Sequence, residues 1–598
     1  MHDLEEYLAY FRYLVAVPNE NGRGLFYIVD ASGQFNLWYQ DLRGGCPEQW
    51  TFFEERHVSQ VAPPWKGYPL ILMVDEQGKE NHQLYVLHAR RQWPKDLTQK
   101  PDARHQYHAG SISRDGRWIA FSSTRENPQV QDLFVLDRST LEFRKVLSLG
   151  RWLEPGSFSP NAQMLLAVEV LDINTTAIHL ADLQTGEHRC AVPAEPGSQV
   201  IPGPWLPDGS GFFVLTNQQR EFFALAQYRL DSQQIEILVE EDHDIETVDL
   251  SPTGDRVVWI LNDGGHHRLF VRQWPEGPTE EISLPKGQLL DLRFFLDGQR
   301  LAAVFTGAQY PPSIWLIDLV QKEAHLWLGG LHTEIPSEEL IEPESITYTS
   351  FDGLPIQAWV YRPRTSGPTP VVLNPHGGPN WQHRPTYSGV IQYLLAHGIA
   401  VFAPNFRGST GFGKSFMKKI HRDWGGAEIR DLEEGVKWLL KQDWVDPKRI
   451  AVMGGSFGGF ATLACLTQIP QYFCCGVDLF GPSNLVTFAK SVPPHWRPLM
   501  KELLGDPEED RGFLLERSPL THIDRIQVPL LVVQGANDPR VVKQESDQLV
   551  EALRARKIPV EYLVFDDEGH GFSKRRNMVK AYKAITEFLI RHLLNLSS

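Results

Sequence analysis

The chain has 598 residues, a formal net charge of −16, 42% hydrophobic and 22% charged residues. Those proportions exclude a mainly disordered, collagen-like or coiled-coil chain and predict more than one buried core. The acidic balance, without a long Lys/Arg cluster, argues against nucleic-acid or anionic-membrane partners, because phosphate attraction needs a concentrated positive face.

The start, Met1-His2-Asp3-Leu4-Glu5-Glu6, lacks the basic and apolar regions of a signal peptide, and no apolar run reaches the roughly 18 residues that cross a bilayer. A soluble, cytoplasmic protein is expected. The cysteines, Cys46, Cys190, Cys465, Cys474 and Cys475, form no CxxC pair and suit neither a disulfide framework nor a zinc ribbon. Reduced core residues are expected.

The first half repeats. Its unit is a small turn, an apolar strand, a polar break and a second strand ending near Asp. Ser113 to Phe121 followed by Asp132 to Asp137 is the clearest copy, and Pro207 to Val214, Ser251 to Trp259 and Leu296 to Ala302 are related. With weaker copies, the turns fall at Gly22, Gly67, Gly116, Ala162, Gly209, Gly254 and Gly298, about 45 residues apart. Alternating polarity and Asp-Gly turns indicate antiparallel strands. A unit this short cannot cover both its faces, so the units must stack. A seven-bladed β-propeller is predicted over residues 1–330.

From about Ile341 strands alternate with helices. Pro370 to Asn374, Ala400 to Pro404, Arg449 to Met453, Pro529 to Val533 and Val560 to Phe565 read as buried parallel strands. Ile429 to Gln442, Val541 to Arg556 and Asn577 to Leu594 read as amphipathic helices. The Glu-rich stretch Leu331 to Pro343 reads as a linker, and residues 335–598 as a doubly wound α/β domain of the α/β-hydrolase type.

The chemistry sits at the strand ends. Gly454-Gly455-Ser456-Phe457-Gly458-Gly459 lies between a strand and a helix, where a Gly-x-Ser-x-Gly turn holds a serine in a strained, exposed conformation. Ser456 is therefore the candidate nucleophile. A hydroxyl needs a base near neutral pH, and the α/β-hydrolase order is Ser, acid, His. His570 lies between two glycines before the last helix. Asp538, after the preceding strand, is chosen as the acid that orients it, with Asp566, Asp567 and Asp478 as rivals. The amides of Phe457 and Gly378 are the expected oxyanion donors, with Gly377 as the alternative to Gly378. His376 reads as a structural residue of its bend.

These residues resemble the prolyl oligopeptidase family of serine peptidases, most of all its acylaminoacyl peptidase branch. The marks are His376-Gly377-Gly378-Pro379, Asn405 to Gly413, Gly454 to Gly459, Asn537 to Val541 and Glu568 to Phe572. Phe457 departs from the tyrosine frequent in the family. The resemblance implies cleavage of oligopeptides, with the propeller screening the site, and a carbonyl-binding role for Arg540, whose planar guanidinium suits it. Glu54-Glu55 and Glu240-Glu241 do not copy the glutamate motif of the family's dipeptidyl peptidases and read as solvated pairs. Leu485, Phe488 and Trp496 serve either as pocket walls or as core. The activity expected from the resemblance is that of an acylaminoacyl peptidase or oligopeptidase; the alternatives are a dipeptidyl- or carboxypeptidase-type exopeptidase of the same family and a small-molecule esterase using the same triad. No metal constellation or phosphate loop occurs, so no cofactor is expected. Self-association is left open.

Overall fold

The structure, a computed structural model, describes residues 2–594. Seven four-stranded antiparallel sheets follow one another between Tyr13 and Leu328. They are the blades of the propeller, and the seven repeat turns join first to second strands. Gly22, for example, lies between Tyr13–Pro18 and Gly24–Val29, and Gly254 between Ile245–Leu250 and Arg256–Asp263.

Packing explains the composition of each unit. A second strand is covered on both faces by adjacent blades, so Gly24–Val29 and Gly211–Thr216 are buried throughout. Outer strands such as Glu142–Leu147 alternate with solvent and carry charge. Blade stacking buries Val15, Ile28 and Leu37 of the first blade with Val58 and Leu72 of the second. The ring closes where Tyr13, Ala16 and Tyr27 pack on Ala302, Val304 and Ile314 of the seventh blade. Each of these two sheets keeps its own four strands, so side-chain packing does the closing. Inner strands enclose a cavity of about 720 Å³, lined by groups that include Glu154, Ser157, Asp249 and Arg293.

The second sheet has eight strands: β1 (Glu344–Thr349), β2 (Pro355–Tyr361), β3 (Thr369–Leu373), β4 (Ala400–Asn405), β5 (Val445–Gly455), β6 (Cys475–Leu479), β7 (Leu530–Gly535) and β8 (Val560–Phe565). Their order is β1-β2-β4-β3-β5-β6-β7-β8, parallel from β4 onward. The five expected strands are β3, β4, β5, β7 and β8. β1, β2 and β6 fall outside the expected set: β1 is a polar edge strand, β2 joins it in a hairpin but is buried over most of its length, and β6 is five residues long with an aspartate inside it.

Alternation sends Val371 and Leu373 to one covered face and Val372 to the other; Leu530 and Val532 oppose Leu531 and Val533 in the same way. Helices on both faces therefore leave the strand ends as the place for chemistry. Before the first blade, Leu4, Tyr7, Leu8 and Tyr10 pack against Ile335, Leu340 and Tyr387, so the opening residues lie on the α/β domain with part of the linker. Among the described residues no helix is long and apolar enough to cross a membrane.

Candidate active site

Ser456 stands between β5 and the helix Phe457–Gln468 with φ 57° and ψ −121°, a strained turn that lifts its side chain off the sheet. Its N–H donates to Leu479 O at 2.9 Å, and its carbonyl accepts from Phe460 N–H at 3.0 Å. The turn needs small neighbours: a Cβ on Gly458 would lie 2.3 Å from the Pro375 carbonyl oxygen. That close approach seats the serine beside the His376 bend, where a Cβ on Gly377 would lie 3.6 Å from Ser456 Cβ. The Phe457 amide opens its helix and so has no intrahelical acceptor.

At the end of β7 the Asp538 carboxylate is buried. Oδ1 accepts from the Arg540 and Val541 N–H groups at 2.8 and 2.9 Å, and Oδ2 lies 2.6 Å from His570 Nδ1. Two backbone donors thus fix the carboxylate while its other oxygen orients the imidazole, leaving Nε2 for a hydroxyl. Among the described residues Ser456 Oγ and His570 form no hydrogen bond, in keeping with catalytic contacts that tighten only around substrate. Phe480 touches both sides of the gap: its ring is 4.7 Å from the imidazole and packs on Gly455.

The rival acids are engaged elsewhere. Asp567 binds Lys574 Nζ at 2.8 Å and Arg576 Nη2 at 2.7 Å, and Asp566 offers its carbonyl to Asn537. Asp478 lies under the serine turn, where Oδ1 accepts from Gly481 N–H at 2.9 Å and Oδ2 has no partner. Burial pushes its carboxyl up to about 8. An unfolded aspartate ionises near ~4. The folded chain therefore retains a proton that the unfolded chain releases between those values. The stability this group contributes is present in full below about pH 4 and is lost as pH rises through about 8. Asp478→Asn is expected to gain thermal midpoint relative to the parent as pH rises from about 5 to about 8; a constant difference across that range would refute the assignment.

His376 is buried, stacks on Phe406 at 4.3 Å and sits 2.7 Å from Ser409 Oγ through Nε2. Burial pushes its pKa down to about 4, so it stays neutral and shapes the bend.

Arg540 reaches out of the α/β domain. Its Nε donates to Glu80 Oε1 at 2.7 Å, and its guanidinium carbon lies 5.5 Å from the centre of the Trp496 ring. Glu80 comes from the second blade, in the hairpin between Leu70–Glu76 and Gln83–Leu87. That hairpin presses on the His570 loop so closely that a Cβ on Gly78, φ +76°, would lie 2.3 Å from Gly569 N. Glu80 was invisible in the sequence because a single carboxylate in a polar turn carries no pattern. The paired glutamates are not at Arg540: Glu55 binds Lys574 at 2.5 Å, and Glu240 lies 3.5 Å from Arg220. Leu485 and Phe488 belong to the core around Phe457 and Phe460, which leaves Trp496 at the rim.

A strained serine, a His–Asp pair at neighbouring strand ends and a propeller over them direct the comparison with known proteins. The sequence model described as the prolyl oligopeptidase family matches residues 385–595. Residues 385–595 are therefore a serine peptidase domain of the prolyl oligopeptidase family. A dipeptidyl aminopeptidase BIII of Pseudoxanthomonas mexicana is 48% identical over 236 residues, 39% of this chain and 34% of that protein. An acylamino-acid-releasing enzyme of Rattus norvegicus is 26% identical over 301 residues, 47% of this chain and 41% of that one. The chain thus matches between 34% and 41% of the length of these curated relatives. A solved puromycin-hydrolyzing peptidase of Mycobacterium tuberculosis superposes with a TM-score of 0.84 at 21% identity, over 99% of this chain and 96% of that one, and shares the fold.

Proposed function

We propose that the protein is a serine peptidase that cleaves short peptides near their amino end through an acyl-enzyme. Ser456 Oγ attacks the scissile carbonyl carbon while His570 Nε2 takes the hydroxyl proton. Negative charge gathering on the carbonyl oxygen is met by the Phe457 and Gly378 amides, each worth about 3 kcal/mol at the transition state. The imidazolium, steadied by Asp538, then protonates the leaving amine. Water, deprotonated by the same imidazole, attacks the acyl-enzyme and restores Ser456 with release of the acid. The observation that carries this reading is the 2.6 Å His570–Asp538 pair beside the strained serine turn.

Two observations favour substrates with a free amino group, released as dipeptides. The Glu80 carboxylate stands at the rim beside Arg540, where an ammonium finds a counter-charge while the guanidinium takes a substrate carbonyl. The relative at 48% identity is named a dipeptidyl aminopeptidase. The acylaminoacyl reading draws on the same ion pair: in the free protein Arg540 already neutralises Glu80, which suits an uncharged, blocked end. Glu80→Gln separates them. It is expected to lower kcat/KM for dipeptidyl anilides about tenfold or more, the worth of one charge-assisted hydrogen bond, and to spare acetyl-aminoacyl anilides. The reverse pattern would establish the blocked-end reading, and a strong preference for simple esters would replace peptidase by esterase.

The propeller lies over the site and excludes folded proteins, so oligopeptides are the substrates. A cytoplasmic setting agrees with five cysteines that are all unpaired, two of them, Cys46 and Cys190, at the surface.

A further inference from the structure

The loop that carries His570 is held by groups from its own domain and from the propeller side. Its internal staple is Glu568, buried, which accepts from Ser573 N–H, Ser573 Oγ and Lys574 N–H at 2.8 to 2.9 Å. Within the α/β domain Asn537, Asp538 and Asn577 also hold it, and further contacts come from the first two blades and the segment leading into them. Lys574, nearly fully buried, bridges Asp567 to Glu55 of the propeller. Arg575 N–H donates to Gly33 O at 3.0 Å, and Asn537 Nδ2 to Gln77 O at 3.3 Å.

The most directed of these contacts is made by Arg12, just before the first strand of the propeller. Asp30, fully buried, accepts from its backbone N–H at 2.8 Å and from its Nε at 2.7 Å. The ring of Phe35 lies 4.6 Å beneath its guanidinium. So fixed, the other edge of the guanidinium donates to Phe572 O at 2.8 Å and Ser573 O at 2.9 Å, the carbonyls two and three residues after His570. A planar cation with donors on both edges can be anchored on one side and grip two carbonyls with the other. A surface charge would not need a buried aspartate behind it.

We propose that Arg12 is a positioning residue for His570: through Asp30 it makes the first blade set the place of the imidazole relative to Ser456. This rests on the reading of His570 as the base. Arg12 touches no reacting atom. It acts by denying the glycine-flanked loop the small displacements that would take Nε2 out of line with the serine hydroxyl.

The test uses the full chain. Arg12→Ala is expected to lower kcat on a dipeptidyl anilide, and the acylation rate with a fluorophosphonate, by about tenfold to a hundredfold, the scale of a misplaced catalytic group, with KM little changed. Millimolar guanidinium, filling the vacated space, is expected to restore part of the rate, and Arg12→Lys, with one point charge, to remain impaired. An unchanged kcat overturns the proposal. So does a loss that guanidinium leaves untouched while the thermal midpoint falls in step, which would make Arg12 a scaffold residue alone. If Arg12→Ala does not fold, Asp30→Asn gives the same reading: a fall in kcat without a rise in KM supports the proposal, and parent-like kcat overturns it. Activity surviving in His570→Ala would instead remove the base assignment itself, a separate result from any obtained at Arg12.

Discussion

Replacing Ser456 by alanine is expected to remove turnover, lowering kcat on the order of 10⁶-fold, as when a catalytic serine is deleted from an intact site. The Cβ and the strained backbone are retained, so the fold and the thermal midpoint should stay near the parent's. Loss of Oγ leaves His570 and the oxyanion donors with nothing to act on. Residual hydrolysis would come only from water held near the Phe457 and Gly378 amides. Two measurements check it: kcat on a dipeptidyl anilide, and covalent labelling by a fluorophosphonate, which should vanish. Labelling that persists in the variant would place the nucleophile at another residue and dissolve the acyl-enzyme scheme.

Asp538→Asn is expected to lower kcat about 10⁴-fold with little change in KM. The reason lies in the direction of the hydrogen bonds. Oδ1 of Asp538 accepts from two backbone N–H groups, so an asparagine turns its oxygen toward them and its NH₂ toward His570 Nδ1. Nδ1 must then accept, the ring proton moves to Nε2, and Nε2 can no longer take a proton from Ser456. The volume is unchanged, which makes the loss a matter of tautomer and charge rather than packing. A loss within tenfold would shift the acid to Asp478 or Asp567, and the same substitution at those two positions would then show the large effect.

The clearest sequence signals are those in which local chemistry repeats or is confined to one turn. Blade spacing is legible because every unit needs a tight hairpin between its first two strands, and Gly22 through Gly298 mark those hairpins. Ser456, Asp538 and His570 are legible because each follows a strand of the parallel sheet, and loops at such strand ends are where α/β sheets do their chemistry. The edge strand β1 and the short β6 are weaker signals, since a polar edge strand and an aspartate-bearing strand resemble loops when read in isolation. Glu80 and Arg12 have no signature at all. Each is a single charged residue outside any motif, and its meaning comes from what the other domain places opposite it.

By itself the sequence determined the class of the molecule and marked Ser456, His570 and a short set of candidate acids, because periodicity and strand-end motifs are properties of short stretches of chain. Tertiary structure alone decided which acid meets the imidazole, which carboxylate meets Arg540, and that the first blade grips the loop after His570. The last two pairings join residues hundreds of positions apart, and a hydrogen bond of 2.7 to 2.9 Å between them depends on how two domains are seated, which no local pattern encodes.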